Sequence, residues 1–217
     1  MKTRETIKRY ILLVFGLFFI AIGVAFTKTA ELGVSPISSV ANVLSLRFTF
    51  LSIGNWLIFT NCLLILGQIM ILRRKFKLFQ LLQIPLSFLF GYFTDFGMWL
   101  VSFIPVRGYS SRLIFVVIGV IILGLGIALA VIANVIMNSG EAFVKAISDT
   151  IHKDFGSVKV AFDISWVVLA VVLSMFLFDG KIVGTREGTF IAAVCAGFVV
   201  KFFTKIMKKH LDVLLTK

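Results

Sequence analysis

The chain has 217 residues, of which 59% are hydrophobic and only 15% are charged, and its mean hydropathy is +1.06. This balance excludes an ordinary soluble domain. The net charge of +12 could suggest nucleic-acid binding. The basic residues lie where membrane proteins carry them, however, so we interpret the charge as a sign of topology and of contact with anionic lipid.

Six apolar runs are long enough to cross a bilayer, for which a helix needs about 20 residues. The clearest run, 113–137, holds no charged residue. Because backbone groups in lipid must be hydrogen-bonded within their own element, such runs must be helices. The fold class is therefore predicted to be an all-α polytopic membrane protein. The predicted spans are about 10–27, 50–72, 78–104, 112–137, 158–178 and 188–207.

The basic residues are divided unequally between the two sides of the membrane. If the spans simply alternate in direction, sixteen of the 22 Lys and Arg residues lie on the side of the two termini. The remaining six are Lys28, Arg47, Arg107, Arg112, Lys181 and Arg186. By the positive-inside rule, both termini are predicted to be cytoplasmic.

The sequence also shows signs of an internal repeat, in which the second half of the chain resembles the first. Three sequence features recur in order at offsets of 103, 105 and 106 residues. They are Gly16 and Gly23 with Gly119 and Gly126, Leu51-Ser52-Ile53 with Gly156-Ser157-Val158, and Gly91 with Gly197. This pattern predicts a first repeat at 1–108 and a second at 109–217. Because each repeat has three spans, an odd number, the two are predicted to be inverted relative to each other, an arrangement typical of transporters.

The glycines of the first span in each repeat predict close helix contacts between the two halves. They are Gly16, Gly23, Gly119, Gly124 and Gly126.

Each repeat is interrupted after its first span. In the first repeat, Gly33 permits a turn, and Ser35 followed by Pro36 predicts a short capped helix at 35–46. In the second repeat, Ser139 is the predicted cap of a short helix at 140–151. Two readings stay open. The short helices lie flat at the membrane interface, or they are re-entrant and present the N–H groups of their N-termini to an anion or polar solute.

Over essentially its whole length, the chain resembles the YczE/YitT-type bacterial integral membrane proteins. The likeness rests on the glycine-rich first span, on Ala30-Glu31-Leu32-Gly33-Val34-Ser35-Pro36 and on Leu51-Ser52-Ile53-Gly54-Asn55-Trp56. It implies a small multi-pass protein of the bacterial inner (plasma) membrane. The family typically has Trp-Asp after the proline, where this chain has Ile37-Ser38, so the turn lacks its carboxylate. Glu141 lies near the corresponding place in the second half.

The predicted substrate-binding residues are polar groups of the short helices and two acids within spans. They are Ser35, Ser38, Ser39, Asn42, Asp95, Ser139, Glu141 and Asp163. An ionisable group inside a span is costly and therefore has a partner or a function. For Asp95, a structural hydrogen bond and a substrate or proton-coupling role both stay open, whereas the position of Asp163 favours a role at the site. The repeat offset also pairs Asp95 with Lys201, although Lys201 more simply extends to the cytoplasmic interface.

The sequence contains no metal-ligand cluster, nucleotide-binding loop or nucleophile with a base, so we predict no enzyme, no cofactor and no metal. The function predicted is a small secondary transporter or permease for a polar or anionic solute, with alternating access between inverted repeats. The alternative is a membrane-embedded substrate-binding or accessory subunit that requires a partner, as in energy-coupling-factor importers. The expected partners are anionic lipids on the cytoplasmic side and a small polar solute, without nucleic acid. Whether the chain forms a homodimer or joins a partner subunit stays open.

Overall fold

The computed structural model describes residues 3–153 and 155–216. Over these residues the chain forms eight α-helices and no strand. The helices are α1 (Thr3–Thr29), α2 (Ser39–Arg47), α3 (Ile53–Leu72), α4 (Gln83–Ser102), α5 (Gly108–Ala133), α6 (Ser139–Ile151), α7 (Phe155–Leu177) and α8 (Glu187–Thr216). All except α2 and α6 are long and apolar enough to cross a membrane, which confirms the six predicted spans.

The two short helices occur where the interruptions predict them, but their starts differ in detail. The first begins as a 3-10 turn, Pro36–Ser38, which leads into α2. Ser35 makes no side-chain capping bond, because its hydroxyl contacts that of Ser38 instead. The prediction of Ser139 as the second cap is wrong, since Asn138 occupies the cap position and Ser139 is the first helical residue.

Helix α5 ends four residues earlier than the apolar run predicts. Asn134 adopts a left-handed backbone conformation with φ of 48°, which ends the helix at Ala133. Arg9 of α1 donates from Nη1 to the carbonyl oxygens of Ile132 and Ala133 at 3.4 and 3.2 Å. The last carbonyls of α5 are thereby satisfied by a cation, which also suits the negative end of the helix dipole.

Helices α1 and α5 cross at the centre of the molecule with their backbones in direct contact. A Cβ atom added to Gly23 would lie 2.6 Å from the backbone nitrogen of Leu123, and one added to Gly126 would lie 2.5 Å from that of Ile20. The predicted close contacts are therefore confirmed for Gly16, Gly23, Gly119 and Gly126. The prediction for Gly124 is wrong, because this glycine faces Val199 of α8 instead.

The remaining helices are arranged around this crossing. Helix α4 packs against α1, and α8 packs against α5. The short helices cross over between the halves, since α2 packs on α7 and α6 packs on α3. Helices α3 and α4 also pack together, whereas α7 and α8 show no comparable contact among the described residues.

Candidate functional site

The starts of the two short helices lie against each other between the halves. Ile37, in the turn before α2, contacts Gly140 in the first turn of α6 so closely that a Cβ at Gly140 would overlap the Ile37 side chain. Trp166 of α7 donates its Nε1 hydrogen to the carbonyl oxygen of Ile37 at 2.9 Å. Helix α2 is enclosed, since the consecutive residues 39–43 are all buried. Two helix N-termini, one from each half, therefore meet in the interior.

The three predicted serines of the first short helix bond to one another and to their own turn. The Oγ atoms of Ser35 and Ser38 are 3.0 Å apart, and Ser39 donates its hydroxyl to the Pro36 carbonyl oxygen at 2.6 Å. All three serines are buried. In this arrangement their hydroxyls fix the shape of the turn.

Asn42 lies at a junction of three elements. Its Oδ1 accepts a hydrogen bond from Lys28 Nζ at 2.5 Å, and its Nδ2 donates to the carbonyl oxygen of Gly184 at 2.7 Å. Lys28 also donates to Ser45 Oγ at 2.9 Å. Among the described residues, the ion pairs formed by carboxylates do not include Lys28. An uncompensated cation near the end of a membrane span is a candidate for binding an anionic group.

Sequence reasoning counted Lys28 only as a charge that indicates topology. The signal that could have identified it is its position, in the last turn of a long apolar helix and ahead of a broken segment.

A buried amide network holds the start of α6. Gln68 of α3 and Gln83 of α4 exchange side-chain hydrogen bonds at 3.0 and 3.1 Å, and Gln68 also donates to the carbonyl oxygen of Ser139 at 3.2 Å. The Oγ atoms of Ser139 and Ser87 are 3.1 Å apart. A small cavity of about 10 Å³, the size of one water molecule, adjoins Asn138 and Ser139. The predicted residue Ser139 thus bonds to Gln68 and Ser87, and through Gln68 it is linked to Gln83, none of which the sequence singled out.

Glu141 and Asp163, both predicted, come together with a third residue, Lys159. Lys159 Nζ lies 2.5 Å from each carboxylate oxygen of Asp163, one turn away on α7. Glu141 Oε2 is buried and has no hydrogen-bond partner among the described residues. Burial raises the pKa of the Glu141 carboxyl above its usual range and nearby Asp163 adds to this, whereas Lys159 and a hydrogen bond from Asn138 act in the opposite direction.

Asp95 lies apart from these groups. Its Oδ2 accepts a hydrogen bond from Ser52 Oγ at 2.5 Å, and its Oδ1 accepts one from the backbone nitrogen of Gly54 at 2.9 Å. Both donors are at the N-terminus of α3, where a carboxylate satisfies free N–H groups and matches the positive end of the helix dipole. Lys201 is exposed on α8, and no ion pair joins it to Asp95 in the described part of the chain.

We expect Asp95→Asn to lower the free energy of unfolding by about 1–3 kcal/mol. The carboxylate accepts from both Ser52 Oγ and the Gly54 nitrogen, whereas the neutral amide has only one oxygen that can accept. The measurement is the thermal unfolding midpoint of the purified protein in detergent. Ser52→Ala removes the hydroxyl donor of the same contact, and it should lower the midpoint as well, because Ser52 Oγ also caps α3 by accepting from the Asn55 backbone nitrogen at 3.1 Å. A wild-type midpoint for Asp95→Asn would contradict this structural role.

A sequence profile for a family of unknown function (DUF6198) matches residues 7–205. The match extends over all of the helices at least in part. The description of this family assigns no activity to its members and does not single out the YczE/YitT-type proteins. No curated protein and no solved structure matches the chain.

Proposed function

The chain belongs to the family of unknown function DUF6198, and we propose that it is a small secondary transporter or permease for a polar or anionic solute. The proposed mechanism is alternating access between two inverted repeats. The observation that carries the proposal is the exchange of short helices, in which α2 packs on α7, α6 packs on α3, and their starts meet at Ile37 and Gly140. A site between two related halves becomes accessible from either side when the halves move relative to each other.

Corresponding features of the two halves support inverted repeats at 1–108 and 109–217. The α1–α4 contact has its counterpart in α5–α8, and the two first spans cross at the centre. Residues with positive φ also recur where corresponding helices end. They are Glu31 and Asn134 after the first spans and Arg73 and Asp179 after the second.

We propose that the short helices are re-entrant. A helix lying at the interface keeps one face toward solvent or headgroups, whereas α2 is buried through its first five residues. With both N-termini in the interior, the positive ends of their helix dipoles favour an anion or a polar acceptor. Lys28 adds a cation beside α2, and Lys159 adds one beside α6.

The two halves differ in one contact, which supports alternation. In the first half, Gly91 of α4 lies against Ile58 and Gly54 of α3, so the two helices are closed on each other. Its repeat counterpart on α8, Gly197, has no atom within 4 Å of an added Cβ. By the repeat offset, Asp163 takes the place of Ile58 in the second half. An exchange of the two conformations would close α8 on α7 and open α4 from α3.

The other elements of the proposal follow from the sequence. The turn at 30–36 and the segment at 51–56 support kinship with the YczE/YitT-type proteins. The charge distribution supports a location in the bacterial inner membrane with both termini cytoplasmic and anionic lipid on that side. We propose no enzymatic activity.

Reconstituted protein should move an anionic or polar solute, and Lys28→Met should slow that flux about ten-fold or more. The loss corresponds to one charge-assisted hydrogen bond of about 1.5–3 kcal/mol. The measurement is uptake into proteoliposomes of a panel of inorganic anions, small carboxylates and neutral metabolites. Lys28→Arg is the matched control, because it keeps the charge and should retain part of the flux. No flux of any solute by folded protein would contradict the transporter proposal.

A second candidate is a substrate-binding or accessory subunit that requires a partner. The observation that favours it is the unpacked surface of α8, where Phe190, Val194, Phe198 and Phe202 are exposed. Lipid can cover such a surface, and so can a partner subunit. Solute binding without flux by the chain alone would favour this candidate.

A further inference from the structure

We infer that Glu141 is a proton-binding site and that its proton couples solute movement to the proton gradient. This inference rests on the proposed transporter function and specifies its driving ion. It starts from Glu141 Oε2, which is buried in the first turn of α6 without a hydrogen-bond partner among the described residues. A carboxylate oxygen buried in this way is costly to leave charged, and a bound proton removes the charge.

The groups that face Glu141 from α7 do not neutralise it. Lys159 is the nearest cation, but both carboxylate oxygens of Asp163 already accept from its Nζ at 2.5 Å. The three groups together carry one positive and two negative charges when all are ionised. One proton on Glu141 makes the cluster neutral, which favours the protonated form in a low-dielectric interior.

The other neighbouring elements supply no second cation. Helix α3 packs on α6 through Leu64, Gly67 and Gln68, and its sequence contains no charged residue and only Cys62 as an ionisable group. The turn before α2 contributes Ile37, which has no charge. On α6 itself, Lys145 pairs with Asp149 at the exposed side. The charge of Glu141 is therefore set locally, by α7 and by the start of its own helix.

Two features allow the proton to leave as well as to bind. The backbone of Glu141 itself, at the start of α6, and the Asn138 side chain hydrogen-bond to the carboxylate and stabilise its ionised form. Lys159 and Asp163 are each about one-quarter exposed, and within the described ranges their helix, α7, does not pack on α8 as α3 packs on α4. Closure of α8 on α7, as proposed for transport, would change the hydration of the cluster, and hydration shifts the balance between the two protonation states. Coupling between proton and solute requires that the proton affinity of Glu141 differ between the two conformations.

The first test measures proton binding without any solute. Because the pKa of folded Glu141 is raised above that of the unfolded chain, the contribution of this residue to stability is complete below the unfolded pKa of about 4.3 and is lost as pH rises through the folded pKa. The unfolding midpoint of wild-type protein should therefore fall with rising pH relative to Glu141→Gln, which has no proton to lose. Parallel curves from about pH 5 to pH 9 would overturn the inference and leave the transporter proposal untouched.

The second test measures coupling in proteoliposomes that contain a pH-sensitive dye. A gradient of a transported solute from the panel should drive proton movement in wild-type protein, and Glu141→Gln should lose it. Glu141→Asp keeps a carboxyl group and should restore part of the movement. Proton movement that persists in Glu141→Gln would overturn the coupling. If wild-type protein moves no solute, the transporter proposal fails, while the stability curves still decide whether Glu141 exchanges a proton.

Discussion

We expect solute flux to stop when α3 and α4 are joined by a disulfide, and to return on reduction. The variant carries Ile58→Cys and Gly91→Cys, with Cys62 and Cys195 replaced by alanine so that no other thiol competes. A Cβ at Gly91 would lie 2.5 Å from Ile58 Cγ1, so the two positions are close enough for a disulfide once Ile58 is shortened. The cross-link holds the first half closed, and alternating access requires that half to open.

The measurement is flux before and after reduction, compared with the same variant carrying only one of the two cysteines. We expect flux to fall to background in the oxidised double variant and to recover in the same protein after reduction, while Ile58→Cys alone stays near the parent level. Gly91→Cys alone reports any loss due to crowding, because its Cβ would lie 2.5 Å from Ile58 Cγ1 and 2.7 Å from the Gly54 carbonyl oxygen. The counterpart pair, Asp163→Cys with Gly197→Cys, should cross-link slowly, because α8 must first close on α7. Full flux through a completely oxidised 58–91 pair would rule out opening of α3 from α4 as a step of transport.

Gly126→Val should prevent the protein from folding stably. An added Cβ at this position meets backbone atoms, since it would lie 2.5 Å from the Ile20 nitrogen and 2.6 Å from the Gly16 carbonyl oxygen. Backbone cannot rotate away as a side chain can, so α1 and α5 must separate along their central crossing. Overpacking of this kind typically costs about 1–3 kcal/mol, and a valine has two further methyl groups to place, so we expect the upper end of that range or more.

The measurement is the monodisperse fraction after detergent extraction, together with the thermal unfolding midpoint. Gly197→Val is the matched control, because it makes the same chemical change in a membrane helix at a position with no neighbour within 4 Å. It should fold like the wild type. If Gly126→Val also folds like the wild type, the two halves are not held together by this crossing.

The sequence could predict the features that depend on short stretches of chain. Hydropathy predicted the six long helices, because a bilayer requires about 20 apolar residues in a row whatever the helix packs against. Gly33 and Pro36 predicted the first interruption, since both act on their own backbone. The end of α5 was missed because residues 135–137 are as apolar as a span. Asn134 and the distant Arg9 decide that boundary.

The candidate site was predictable only where a single residue stands out from its neighbours in the sequence. Acids in or beside spans, such as Glu141 and Asp163, are conspicuous in an apolar sequence. Uncharged amides are not, so the buried pair of Gln68 and Gln83 gave no signal. The partners of Asp95 also escaped prediction, because Ser52 lies 43 residues away and is brought near only by the packing of α3 on α4.

The exchange of short helices has a consequence for biosynthesis. The carbonyl oxygen of Ile37 is bonded by Trp166, which follows it by 129 residues. At a synthesis rate of about 5–20 residues per second, roughly ten seconds separate the appearance of the two partners at the ribosome. During that interval α2 is already made but α7, on which it packs, is not. Water, lipid headgroups or the insertion machinery must then hydrogen-bond to the Ile37 carbonyl oxygen in place of Trp166. The first half of the nascent chain therefore inserts before it can finish folding, and it becomes complete only when the second half arrives.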